Sequence, residues 1–139
     1  MKKFILFLTC ILSWSLASAD TDDRRISFKE LPQAAQSYIK KHFPNQRIVR
    51  VDNEDDGDYE VHLSGSYQVT FDDQGIWKEV DASRKALPNS VLPQEVRRAV
   101  RGRYPQNVKI MQLERKYDKF EVEFSNQQKL NVKMESSCK

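Results

Sequence analysis

The stretch LPQEVRRAVRGRYPQN (92–107) restates LPQAAQSYIKKHFPNQ (31–46), and an offset of 61 residues carries the correspondence through most of the chain beyond each stretch. Leu31-Pro32-Gln33 stands over Leu92-Pro93-Gln94, and Phe43-Pro44 over Tyr104-Pro105. Further on, Tyr59-Glu60-Val61 stands over Phe120-Glu121-Val122, Leu63-Ser64 over Phe124-Ser125, and Val69 and Phe71 over Leu130 and Val132. The matching positions are apolar or turn-forming, so the two halves share a core pattern and a chain path. The offset reads as ungapped, and it restricts the chain to folds in which one unit is built twice.

Each unit opens with a helix. Proline is tolerated in the first helical turn, where its missing N–H would have no partner, and Pro32 and Pro93 fit that place. Apolar residues then recur four apart, Ala35, Ile39, Phe43 and Val96, Val100, Tyr104, with Tyr38 and Ala99 widening each stripe. This spacing predicts a short amphipathic helix with one buried face. Pro44 and Pro105 end it, because the residue before a proline is pushed out of the helical region.

After each helix the period falls to two. YEVHL (59–63), YQVTF (67–71), FEVEF (120–124) and KLNVKM (129–134) alternate apolar and polar residues, the pattern of antiparallel strands with one face buried and one wet. RIVRV (47–51) and VKIMQL (108–113) read as first strands, and SGS (64–66) and SNQQ (125–128) as tight connections. DDQG (72–75) turns the first unit into a fourth strand, IWKEV (76–80), for which the second unit has no counterpart. The expected fold class is α+β: two tandem helix-plus-antiparallel-sheet repeats, with the helices packed on one side of the sheet. A lone unit of this size buries little apolar surface. The two are therefore expected to share a core in one compact domain, as repeats 20–81 and 82–139 with 81–86 as linker.

Residues 1–19, MKKFILFLTCILSWSLASA, are expected to lie outside that domain. Lys2 and Lys3, an apolar run from Phe4, and the small residues Ala17 and Ala19 are the pattern of a secretory signal peptide cut after Ala19. Cys10 lies too deep in the apolar run, behind Leu8 and Thr9, for a lipoprotein site. Loss of Lys2 and Lys3 takes the formal charge from +3 to +1. That near-neutral balance argues against nucleic acid as a partner, and no later segment is apolar enough for stable membrane insertion. The expected location is periplasmic or secreted. Cys138, the one cysteine left, cannot form an internal disulfide, so a packed core has to hold the fold.

A helix opening on Leu31-Pro32 and closing on Phe43-Pro44, then Tyr59-Glu60-Val61, then GIWKEVD (75–81), resembles the PepSY-like proteins of Bacteroidetes. These are exported tandem-repeat proteins with a fold similar to that of the β-lactamase inhibitor protein. The resemblance spans nearly the whole mature chain and implies helices packed on an antiparallel sheet. It brings no catalytic residues with it, and it does not imply β-lactamase inhibition, because fold is not function. The departure is the second unit, which lacks the D-x-x-G turn and the tryptophan strand.

The chain has no constellation for catalysis. His42 and His62 fall on different elements, no G-x-S-x-G occurs, and there are four glycines in all. No cofactor, catalytic residue or metal ligand is assigned. DNEDDGD (52–58) puts Asp52, Glu54, Asp56 and Gly57 at the first, third, fifth and sixth places of a calcium loop, but Leu63 stands where the bidentate glutamate belongs. A charged hairpin loop is the simpler account. His42 is expected to cap the last helical turn as a cation, and His62 to face solvent. Trp77 leaves two placements open: opposite Ile76 and Val80 on the wet face, or buried by a twist at the strand end.

The leading reading is an exported, non-enzymatic binding module that uses the wet sheet face to hold another protein. That face would carry Glu60, His62, Gln68, Thr70, Glu121, Glu123, Lys129, Asn131 and Lys133, with Trp77 as a possible anchor. The alternative is a periplasmic protein that binds a small ligand or an ion in a cleft or at the acidic loop.

Overall fold

The computed structural model describes residues 24–104 and 108–135. The leader with Cys10, Pro105 and Cys138 lie outside the described residues. Strand β1 (Arg24–Ile26) and a 3-10 turn (Phe28–Glu30) lead into helix α1 (Gln33–His42). Strands β2 (Ile48–Asn53), β3 (Tyr59–Leu63), β4 (Tyr67–Phe71) and β5 (Trp77–Ala82) come next. A second 3-10 turn (Asn89–Val91) precedes α2 (Gln94–Val100), and β6 (Ile110–Arg115), β7 (Lys119–Phe124) and β8 (Lys129–Lys133) complete the described elements. All eight strands form one sheet in sequence order, and every neighbouring pair is antiparallel.

One row of cross-strand partners shows how the core is made. Ile26, Val51, Val61, Val69, Val80, Leu113, Val122 and Leu130 stand side by side across all eight strands. Because side chains alternate along a strand, this row and those two residues away point to one face. Ala35 and Ile39 of α1 and Val96 of α2 pack in the same cluster as this row, so both helices cover that inner face. Among the described residues no buried side chain is polar or charged.

Pro32 and Pro93 stand one place before the expected helical turn. They are the N-caps, with extended ψ angles of 148° and 157°. Helix α1 runs as its periodicity requires and closes on buried Phe43. Helix α2 stops early, at Val100. Gly102 adopts φ +75°, the left-handed conformation that ends helices at little cost. Tyr104 nonetheless reaches the core and stacks on Phe124 at 4.3 Å.

Three features of the sheet differ from the expected ones. The first strand, β1, is not legible in its sequence, RRI, because three residues carry too little periodicity to register. The offset is not ungapped either. Leu63 and Phe124 are 61 apart, but their partners Ile48 and Ile110 are 62 apart. Five residues separate the paired Asn53 and Tyr59, and four separate Arg115 and Phe120. One residue is thus gained before β6 and lost in the following hairpin. A one-residue slip would turn every side chain of β6 to the wrong face, so Leu113 rather than Gln112 takes the place of Val51.

The third difference is β5. It is not an appendage of the first half, because it pairs with β4 on one side and β6 on the other. The Asp72 turn sets it up. Asp72 Oδ1 accepts the N–H groups of Gln74 and Ile76, each at 2.9 Å. Gly75 takes φ +84°, and a Cβ there would lie 2.8 Å from Pro32 Cβ, so glycine lets the turn press against the start of α1.

The candidate binding face and its charge pattern

Among the described residues no helix covers the outer face of the sheet. One row across it reads Arg25, Asp52, Glu60, Thr70, Glu79, Glu114, Glu121, Asn131. The next reads Arg50, His62, Gln68, Asp81, Gln112, Glu123, Lys129. Lys133 lies opposite Lys119 at the β8 edge. Carboxylates therefore fill the middle of the face, and cations stand at both edges.

Glu79, Glu114 and Glu121 are direct neighbours on adjacent strands, and like charges directly opposite repel. Burial pushes the Glu79 carboxyl above its usual value, the hydrogen bond from Gln112 Nε2 works against the shift, and Glu114, Asp81 and Glu60 add to it. Asp81 is raised as well, by burial first and then by Glu123. Lys116 offsets part of the charge, with Nζ 3.8 Å from Glu114 and 4.0 Å from Glu121.

Of the residues expected on this face, Glu60, His62, Gln68, Thr70, Glu121, Glu123, Lys129, Asn131 and Lys133 are outward-facing by register. Trp77 is not on it. Thr70 pairs with Glu79 but Phe71 pairs with Trp77, so Lys78 is an extra residue, a β-bulge that shifts the alternation by one. Trp77 thereby joins Phe71 on the inner face. It stacks on Phe120 at 5.9 Å and lies 6.4 Å from Tyr38. The Arg115 guanidinium covers its ring at 4.4 Å. Ile76, expected inside, is 43% exposed. Of the two placements the sequence left open, the inward one holds, with Trp77 partly buried against the core.

His42 lies in the last turn of α1, but its Nδ1 is 2.8 Å from Ser90 Oγ. Burial, helped by Lys41, lowers its pKa, so at neutral pH it ties α1 to the second 3-10 turn as a neutral ring, not as a capping cation. His62 faces outward as expected, yet only 23% of its side chain is exposed. It lies beside Glu60, Asp52 and Arg50. Arg50 was missed and Asp52 was assigned to the acidic loop instead of this face, because both come from β2 and only the pairing of β2 with β3 brings them to His62. A fully exposed aromatic, Tyr117, stands in the β6–β7 hairpin. Its signal was its place in the turn sequence KYD (116–118).

The acidic loop also differs from the calcium-loop spacing. Asp52 belongs to β2 and pairs with Glu60, and Leu63 is buried in the core. The carboxylates that converge in the hairpin are Glu54, Asp56 and Asp58, whose ligand atoms lie within 4.8 Å of one another. Lys78 Nζ contacts Asp58 at 2.5 Å, and Gly57 at φ +93° closes the turn.

This architecture defines an α+β scaffold in which two helices cover one face of a continuous antiparallel sheet and leave the other face open. The chain belongs to the family described as "Putative beta-lactamase-inhibitor-like, PepSY-like", whose sequence profile matches residues 14–68 and 57–138. Solved structures agree. A "putative calcium-regulated periplasmic protein" of Bacteroides thetaiotaomicron is 32% identical, with a TM-score of 0.76 over 81% of this chain and 91% of that one. A periplasmic protein of the DUF2874 family from Bacteroides vulgatus, also described as putative, is 33% identical, with a TM-score of 0.76 over 83% and 92%. A second such B. vulgatus protein, of unknown function, is 25% identical, with a TM-score of 0.73 over 80% and 91%. No curated protein matches. Among the described residues no helix is long and apolar enough to cross a membrane.

Proposed function

We propose that the chain is an exported, periplasmic, non-enzymatic binding protein that holds another protein on its outer sheet face, and that its two halves are one unit built twice. The observation that carries this reading is the open face itself: eight strands wide, without a covering layer among the described residues, and segregated in charge. Eight strands at ~4.8 Å and about 17–20 Å long give on the order of 700 Å², close to the ~800 Å² per partner of a standard interface. The charge pattern would set orientation and on-rate. With Trp77 turned inward, Tyr117 is the exposed aromatic suited to act as an anchor. The leader-like start and the periplasmic relatives support export.

The test is capture from the cell envelope on immobilised protein, comparing the native chain with Thr70→Lys/Glu121→Lys. Both sites are outward, so the variant should melt like the native protein and lose the captured partner. Equal capture by both would place the contact surface elsewhere. A second reading, cation binding at the hairpin loop, is supported by the convergence of Glu54, Asp56 and Asp58. The relative described as calcium-regulated supports it too.

A further inference from the structure

Away from the hairpin loop, at the β2–β3 side of the outer face, Asp52, Glu60 and His62 come together. Asp52 and Glu60 are direct cross-strand partners, and His62 follows Glu60 by two residues and so shares its face. His62 Nε2 is 2.9 Å from Glu60 Oε1 and 3.7 Å from Asp52 Oδ2. The three ligand atoms lie within 4.8 Å of one another, and the side chains are 14–23% exposed. Arg50 closes the group, with Nε 2.9 Å from Asp52 Oδ2 and Nη2 3.1 Å from the same His62 nitrogen.

That nitrogen cannot satisfy both close neighbours. If it carries a proton it donates to Glu60, and its N–H then confronts the N–H of Arg50. If it is bare it accepts from Arg50, and its lone pair then confronts the Glu60 carboxylate. One contact is mismatched in either state. A metal ion at the centre would remove the conflict, because Nε2, Glu60 Oε1 and Asp52 Oδ2 would all act as lone-pair donors to it. The Arg50 side chain is 40% exposed, so it has solvent into which to withdraw.

We propose that Asp52, Glu60 and His62 form a binding site for a divalent transition metal, with Zn²⁺ as the best fit and Arg50 as the competing cation that the metal displaces. One imidazole and two carboxylates suit Zn²⁺, which takes nitrogen and oxygen donors in a four-coordinate site with water in the remaining place. Ca²⁺ and Mg²⁺ prefer oxygen donors in larger number and gain little from His62. All three ligands stand on paired strands, which hold them more firmly than a loop would. The site is separate from the all-oxygen hairpin cluster and does not depend on the face being a protein-binding surface.

The experiment is titration of ZnCl₂ into metal-stripped protein by calorimetry, with Cys138→Ser as the background so that the thiol contributes nothing. One Zn²⁺ should bind per chain, and the His62 ring signals should shift in NMR. His62→Ala and Glu60→Gln should each weaken binding at least tenfold with melting temperatures near that of the parent. Asp56→Asn in the hairpin loop should leave it unchanged, and Arg50→Ala should tighten it severalfold by removing the competitor. Binding that survives His62→Ala, or that Arg50→Ala weakens, overturns the proposal. So does loss of Zn²⁺ to an equimolar amount of CaCl₂, or the absence of binding.

Discussion

Truncation of Trp77 tests the bulge at Lys78 directly. If the bulge turns Trp77 inward, Trp77→Ala removes a ring that stacks on Phe120 at 5.9 Å, abuts Tyr38 and carries Arg115 at 4.4 Å. Truncating a fully buried large aromatic costs about 3–5 kcal/mol. Trp77 is partly buried, which scales the loss to about 2–3 kcal/mol, and the lost cation–π contact is worth ~0.5–1 kcal/mol within that figure. For a domain of about 120 residues 1 kcal/mol moves the midpoint by about 3–5 °C, so the variant should melt roughly 6–15 °C below the native protein. Trp77→Phe, which keeps an aromatic ring against Phe120, should recover at least half of the difference. The assay is thermal and urea unfolding followed by circular dichroism. Trp77 is the one tryptophan after residue 19, so its fluorescence reports the same environment. A midpoint within about 2 °C of the native value, together with the emission of a water-exposed indole, would refute the inward placement and return Trp77 to the outer face.

The crowded carboxylates predict a pH dependence. Folding raises the Glu79 carboxyl above its ordinary value of 4.5, so its contribution to stability is present below pH 4.5 and is lost as the pH rises through the folded value. Glu79→Gln should therefore raise the stability at pH 7, by less than ~1 kcal/mol given the solvent screening, and the gain should vanish below about pH 4. A variant less stable at pH 7 than the native protein would show that the hydrogen bond from Gln112 outweighs the repulsion. At the hairpin loop, millimolar calcium should raise the midpoint by no more than about 2 °C, because Lys78 already holds Asp58 and the three carboxylates fall short of the six to eight oxygens calcium takes. Melts with and without calcium decide it: a shift of several degrees that Asp56→Ala abolishes would favour the cation-binding reading.

Local periodicity alone determined a good part of this protein. The four-residue spacing of Ala35, Ile39 and Phe43 specified α1, and the two-residue alternation of 59–63, 67–71 and 120–124 specified β3, β4 and most of β7, because each signal is contained in one element. The wet face was legible for the same reason, since inward valines at 61, 69 and 122 fix their neighbours outward. What the sequence could not determine was pairing. Whether Trp77 faced the core depended on one extra residue against Phe71, and whether β5 ended one half or joined both depended on its partners. Early termination of α2 at Gly102 and the compensated slip around β6 left the apolar pattern almost unchanged, so neither could be seen in it. The His62 cluster was hidden for a related reason. Its members lie 8 and 10 residues apart across a hairpin, as Asp52 with Glu60 and Asp52 with His62, and only the register of β2 on β3 puts two carboxylates, an imidazole and a guanidinium within contact distance.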